Sequence, residues 1–308
     1  MKALRIGTRG SALALWQAKS VADALRETGV ETELVIIKTS GDKFQQTSFS
    51  QLGGKGVFIK ELEDALLDLR VDLAVHSMKD LPTEMPEGLT IGAVCRRADV
   101  RDALLSSPGA TLESLPKGAR VGTSSLRRQA QLLHLRNDLR MMELRGNVDT
   151  RIEKLKRGDY DAILLAKAGL DRLGLSAHIS QVLSHEVSLP AAGQGAIGIE
   201  VRRNDAETLR VLAGLNHEDT LNSVLAERAA LAGLGGGCQV PIGAWGRLES
   251  GKLKLEVAVL TPDGSERIAE SDVDAPENAE ALGARIAQKL RERGASALLM
   301  RESRGSRA

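Results

Sequence analysis

The first forty residues already restrict the fold. Ala3 to Gly7 is a short apolar run, long enough for one buried strand and too short for a helix. Thr8-Arg9-Gly10-Ser11 follows, and Ser11 can cap a helix whose apolar stripe is Leu13, Trp16, Val21 and Leu25, ending at Gly29. Leu34 to Lys38 is a second short strand. A β-α-β opening predicts a parallel sheet with a crossover helix, and so an α/β protein.

The same rhythm continues. Thr39 to Gln51 is polar without a period, as functional or mobile loops are. Gly53-Gly54-Lys55-Gly56 then opens a helix to about Leu69. It lacks the GxxxxGK[ST] spacing of a Walker A loop, although free N–H groups and Lys55 can hold an anion there. Val71 to Val75 and Leu89 to Cys95 read as strands. The charged run Arg96 to Asp102 is expected to cross between domains. Beyond it, Gly122-Thr123 echoes Gly7-Thr8, each after a strand and before a Ser-capped helix. Strands at 139–144 and 161–166 follow, with a helix capped by Asn147 between them. Ala196 to Val201 is expected to return to the first domain. After Asn216 the texture changes to a helix at 219–231, consecutive strands at 242–249, 253–261 and 267–273, and a closing helix at 276–293. Strands without crossover helices imply an antiparallel sheet in a separate α+β domain.

Composition narrows the partners. The formal net charge is +1 and aromatics are 2% of 308 residues, which argues against a generic nucleic-acid binder and against base-stacking platforms. Two cysteines, Cys95 and Cys238, supply neither a disulfide framework nor a CxxC metal site. No signal-peptide h-region or run of about 18 apolar residues is present, so the expected compartment is the cytoplasm, with no membrane partner and no metal.

Chemistry enters at the strand ends. Arg9, the run His76-Ser77-Met78-Lys79-Asp80, Thr123 to Ser125 with Arg127 and Arg128, Arg145, and Lys167 with Arg172 each follow a strand's carboxyl end. Those ends line one crevice in an open α/β sheet. Two such sheets facing each other would form a cleft rich in guanidinium groups, which pair bidentately with carboxylate or phosphate. A polyanionic ligand is expected. Asp80, among those cations, is expected to be a buried carboxylate that stabilises a developing cation or exchanges a proton. Lys79 reads equally as a Schiff-base amine or a carboxylate clamp. His76 reads equally as a hydrogen-bonded core histidine or a site residue. In Gly235-Gly236-Gly237-Cys238-Gln239-Val240-Pro241, glycines permit unusual backbone angles around an exposed, attachable thiol.

Several long motifs, in order, resemble the porphobilinogen deaminase (hydroxymethylbilane synthase) family over essentially the whole chain. They are Val75-His76-Ser77-Met78-Lys79-Asp80, Val121 to Gln129, Leu144-Arg145-Gly146-Asn147, Ala192-Gly193-Gln194-Gly195 and Gly236 to Gly243. The resemblance implies two α/β domains built like the lobes of a periplasmic binding protein and a C-terminal α+β domain with a small antiparallel sheet. Their expected bounds are 1–97 plus 195–215, 98–194 and 216–308. It also implies a dipyrromethane cofactor joined by a thioether to Cys238, onto which four porphobilinogen units are added with loss of ammonia. The product is hydroxymethylbilane. The family's catalytic aspartate falls on Asp80. Its cofactor-binding positions fall on Ser77, Lys79, Asp80, Thr123, Ser125, Arg127, Arg128, Arg145, Gly146 and Gln194. Its substrate-binding positions fall on Arg9, Lys55, Arg145, Arg151 and Arg172, and a monomer is expected.

Ala12 and Gly235 depart from the proline and acidic residue of some relatives, and Gln51 stands where some carry lysine, which puts Gln51's part in doubt. The resemblance makes sense of an arginine-rich cleft in a chain of almost no net charge, because each pyrrole carries two carboxylates. A non-catalytic, two-lobed binding protein for an anionic small molecule is the rival reading, since fold alone permits it.

Overall fold

The computed structural model describes residues 3–39, 59–106, 109–236 and 240–300. Along the first part of the chain run β1 (Leu4–Thr8), α1 (Ala12–Glu27), β2 (Thr32–Ile36), α2 (Lys60–Leu67), β3 (Leu73–Ser77) and β4 (Leu89–Val94). Next come β5 (Asp102–Ser106), β6 (Arg120–Gly122), α3 (Leu126–Leu135), β7 (Arg140–Met142), α4 (Val148–Lys156), β8 (Ala162–Ala166), α5 (Lys167–Arg172) and β9 (Gln181–Val182). The chain ends with β10 (Ile197–Arg202), α6 (Ala206–Leu212), α7 (Glu218–Gly233), β11 (Ile242–Glu249), β12 (Lys252–Leu260), β13 (Arg267–Asp274), α8 (Ala279–Glu292) and α9 (Ala295–Met300). It divides into two units, Met1–Ala98 with Gly195–Leu221, and Asp99–Gln194 with Asn222–Ala308.

The first unit holds a five-stranded sheet in the order β2-β1-β3-β10-β4. β1 runs parallel to β2 and β3, as the β-α-β opening predicts, but β10 runs antiparallel to both β3 and β4. The sheet is therefore mixed rather than parallel. Its fourth strand enters from the returning segment, without a crossover helix to set its direction. One face packs Leu73, Val75, Ile199 and Val201 against Val21, Ala22 and Leu25 of α1. The other packs Val71 and Ala74 against Leu62, Ala65 and Leu66 of α2.

In the second unit a sheet of order β7-β6-β8-β5-β9 repeats this plan, with β5 antiparallel to β8 and β9. β1 and β6 occupy the same place in the two orders, so the Gly7-Thr8 and Gly122-Thr123 echo marks equivalent strand ends. The second unit also contains the expected antiparallel sheet, β11-β12-β13, whose core includes Leu253, Leu255, Leu282 and Ile286. The architecture is α/β, with two mixed five-stranded sheets and a small C-terminal antiparallel sheet.

Candidate functional site

In the first unit the site begins at two neighbouring strand ends. After β1, Ser11 caps α1, its side chain accepting from the Ala14 N–H at 3.3 Å. After β3 the chain makes one 3₁₀ turn, Met78–Asp80. Met78 is the buried residue of that turn, 1% exposed, and its N–H bonds the Ala196 carbonyl at 3.0 Å. Gly198 on β10 makes room for it, because a Cβ there would meet Met78 Sδ at 2.6 Å. The turn thus carries Asp80 outward: its side chain is exposed, not buried as the sequence led us to expect. Arg9, Ser77, His76 and Asp80 line one concavity together with the first turns of α1. Ser77 Oγ accepts from Gln17 Nε2 at 2.9 Å, and Gln17 is itself buried in α1. The sequence placed Gln17 on no face of interest, yet it fixes a site hydroxyl.

The second unit builds equivalent strand ends. Ser125 caps α3, its hydroxyl accepting from the Arg128 N–H at 3.4 Å, and the Thr123 N–H bonds the Met142 carbonyl at 2.9 Å. Gly146 has φ +110°, a left-handed conformation that glycine adopts without strain, and Arg151 Nε donates to its carbonyl at 2.7 Å. Arg145 is held by Glu143 at 2.7 Å, and Lys167 by Asp171 at 2.6 Å. Arg172 ends α5. Lys79 is half-buried beside Asp80. Lys55, Gln51 and Cys238 lie outside the described residues, as does the 40–51 part of the loop.

Arg127 and Arg128 differ from the expectation of open guanidinium forks. They are 4% and 6% exposed and turn inward onto Asp102, which is wholly buried. Arg127 Nη1 and Arg128 Nη2 each reach it at 2.7 Å, Ser188 Oγ at 2.9 Å and Gln194 Nε2 at 2.9 Å. Burial alone would raise the Asp102 carboxyl, but the two guanidinium charges and their hydrogen bonds outweigh it and hold the group far below the usual carboxylate range. Asp102 sits on β5, inside a stretch that composition suggested was only a charged crossing. The crossing itself ends at Asp99, whose carboxylate pairs with Arg101 at 2.7 Å. The short apolar run Ala103-Leu104-Leu105 was the available signal that Asp102 opens a buried strand.

Sequence comparison places this geometry. The family model described as "Porphobilinogen deaminase, dipyromethane cofactor binding domain" matches residues 4–210, and "Porphobilinogen deaminase, C-terminal domain" matches residues 221–292. The chain belongs to the porphobilinogen deaminase family. A curated relative, the porphobilinogen deaminase of Maridesulfovibrio salexigens, is 51% identical over 303 residues, covering 98% of each chain. Solved structures with distant likeness include a periplasmic substrate-binding protein of an ABC transporter from Coxiella burnetii, at 16% identity and TM-score 0.42, covering 73% of this chain and 96% of that one. A methionine-binding protein is 13% identical with TM-score 0.45, covering 73% of this chain and 94% of that one. The first match spans the strand-end motifs and the second the C-terminal sheet. No helix among the described residues is long and apolar enough to cross a membrane, and no metal-binding cluster of His, Cys, Asp and Glu occurs among them.

Proposed function

We propose that this chain deaminates porphobilinogen and joins four molecules head to tail on a dipyrromethane cofactor, releasing hydroxymethylbilane. The observation that carries the reading is the concavity that unites Asp80, Ser77 and Arg9 with the first turns of α1. Its donors fit an acidic pyrrole. A pyrrole's carboxylates call for a guanidinium, a hydroxyl and the free N–H groups of a helix start, and its ring N–H calls for a carboxylate. When bound, the cofactor supplies a nucleophilic pyrrole carbon.

Asp80 accepts the ring N–H and stabilises the positive charge that develops as ammonia leaves the substrate. Its exposure on a short, firmly anchored turn suits a group that must meet successive pyrroles. Arg9 and Ser77 hold acidic side groups, with Lys79 as a carboxylate clamp. Thr123, Ser125, Arg145 and Gly146 are proposed to hold the cofactor, and Arg145, Arg151, Arg172 and Lys55 the substrate's carboxylates. Arg127, Arg128 and Gln194 are kept in the cofactor set on one condition: a ligand carboxylate must exchange with Asp102, whose oxygens they now occupy. Cys238 is the proposed thioether anchor. The protein is proposed to act as a cytoplasmic monomer, with a small-molecule substrate and no nucleic acid, in the three domains bounded at 97, 195 and 215.

The test is Asp80→Ala. It is expected to keep the fold and the cofactor mass while losing nearly all consumption of porphobilinogen, and wild-type-like turnover would reject the assignment. Intact mass tests the anchor. The wild type from a porphobilinogen-making host should exceed its sequence mass by one dipyrromethane, Cys238→Ser should not, and an adduct retained in that variant would move the anchor elsewhere.

A further inference from the structure

Directly behind the proposed site lies a second acidic group that the reading above does not use. Glu200, in β10, the fourth strand of the sheet, is 0% exposed. Its register partners are Ala74 on β3 and Ile91 on β4, so apolar strands flank it on both sides. Two residues further along β3, and therefore on the same face, is His76. His76 Nε2 lies 3.0 Å from Glu200 Oε2, and the ring is nearly as buried as the carboxylate. Among the described residues neither oxygen of Glu200 has a well-aligned hydrogen bond. The contact is thus a close approach of charge and ring rather than a saturated network. Glu63 of α2 feels the pair electrostatically: burial first, and then the charge of Glu200, push its carboxyl above the usual range, while His76 opposes them.

A lone glutamate in the middle of a sheet destabilises the fold unless it is paired. What Glu200 does have is a histidine that lines the Asp80 concavity. A carboxylate behind an imidazole fixes the ring's orientation and tautomer, because whichever nitrogen faces the acid carries the proton.

We propose that Glu200 is a positioning residue: its carboxylate, 3.0 Å from His76 Nε2, favours the proton on that nitrogen and so sets the edge His76 presents to the Asp80 concavity. This rests on the reading of that concavity as the reaction site. The pair lies across one strand boundary, with no loop between, so the ring's placement is as rigid as the sheet. His76 is also one residue from Ser77 and four from Asp80, so a tilt of the ring would be felt by both.

The chain has five histidines, so the ring nitrogens can be resolved by nitrogen-15 NMR and His76 assigned by its loss in His76→Gln. In the wild-type holoenzyme the His76 spectrum should show a protonated Nε2, and a dominant Nδ1–H tautomer would overturn the proposal without any variant. Glu200→Gln should keep the cofactor mass, mix the His76 tautomers, and lower kcat at least tenfold with KM within twofold. Glu200→Gln/His76→Gln should be no slower than the slower single variant, because the two act as one unit. Full turnover in Glu200→Gln, or losses that multiply in the double variant, would refute it. If wild type consumed no porphobilinogen, the functional reading would fall, while the ring spectrum would still decide the pairing.

Discussion

Replacing Asp102 by asparagine should be among the most damaging single-atom changes this protein can suffer. The carboxylate is 0% exposed and receives Arg127 at 2.7 Å, Arg128 at 2.7 and 3.0 Å, Ser188 at 2.9 Å and Gln194 at 2.9 Å. Asparagine keeps the shape but removes the charge, and its NH₂ then faces other donors. Two buried guanidinium groups are left without a counter-charge. Breaking one side of a buried pair costs about 3–5 kcal/mol, which for a unit of this size lowers the melting temperature by roughly 6–20 °C. Circular dichroism melts and urea titrations at pH 7 would read the loss. The same substitution at Asp161, whose pair with Arg120 is about one-third exposed on each side, should move the midpoint far less. The pH dependence has a definite sign. Because the folded-state carboxyl of Asp102 is held below its unfolded value, its contribution is fully present above about pH 4 and fades as pH falls further. The wild type and Asp102→Asn should therefore converge in strong acid. A loss under about 1 kcal/mol at pH 7 would mean that the network is no stronger than an exposed ion pair, and would refute the argument.

Other substitutions test the site's supports. Gly198→Ala should displace Met78, costing about 1–3 kcal/mol by overpacking, and lower turnover because the Asp80 turn moves with it; unchanged kinetics would show that the turn is not anchored there. Gln17→Leu removes the donor to Ser77 and should raise KM for porphobilinogen with little loss of fold. His185 stacks on Trp245 at 3.5 Å, and burial, with help from Arg101 and Arg247, holds its pKa below the ordinary value. Stability should thus fall as pH drops through about 6.5, and His185→Phe, which keeps a ring in the stack, should remove that dependence in urea midpoints.

Much of the local structure was legible because its causes are local. Ser11 and Ser125 cap their helices as their positions predict, and the run at 242–249 forms a strand, while that at 71–75 enters one only at Leu73. What could not be read was pairing between distant residues. The alternation around Ala196 shows a strand but not that it lies antiparallel between β3 and β4. Glu200 looked like one polar residue in that strand, since its partner His76 lies far back in the chain. Arg127 and Arg128 looked like open forks for the same reason: Asp102 precedes them by 25 and 26 positions and appeared in a charged run. Asp80 was legible as a residue and misplaced in depth, because the pattern does not reveal which residue of a single turn points inward.

The order of strands in the first sheet has a consequence for synthesis. Its neighbours β3 and β4 are made early, but the strand that joins them is completed only at Arg202, after all strands of the second sheet have appeared. Of the two five-stranded sheets, the one begun first is thus the last to close. Until then β3 and β4 present unpaired edges, which invite association with other chains. A nascent chain halted between Val182 and Ile197 would carry a finished second sheet and an open first one. Once released, such a chain should be captured by chaperones or aggregate, and one extended well past Arg202 should do so less.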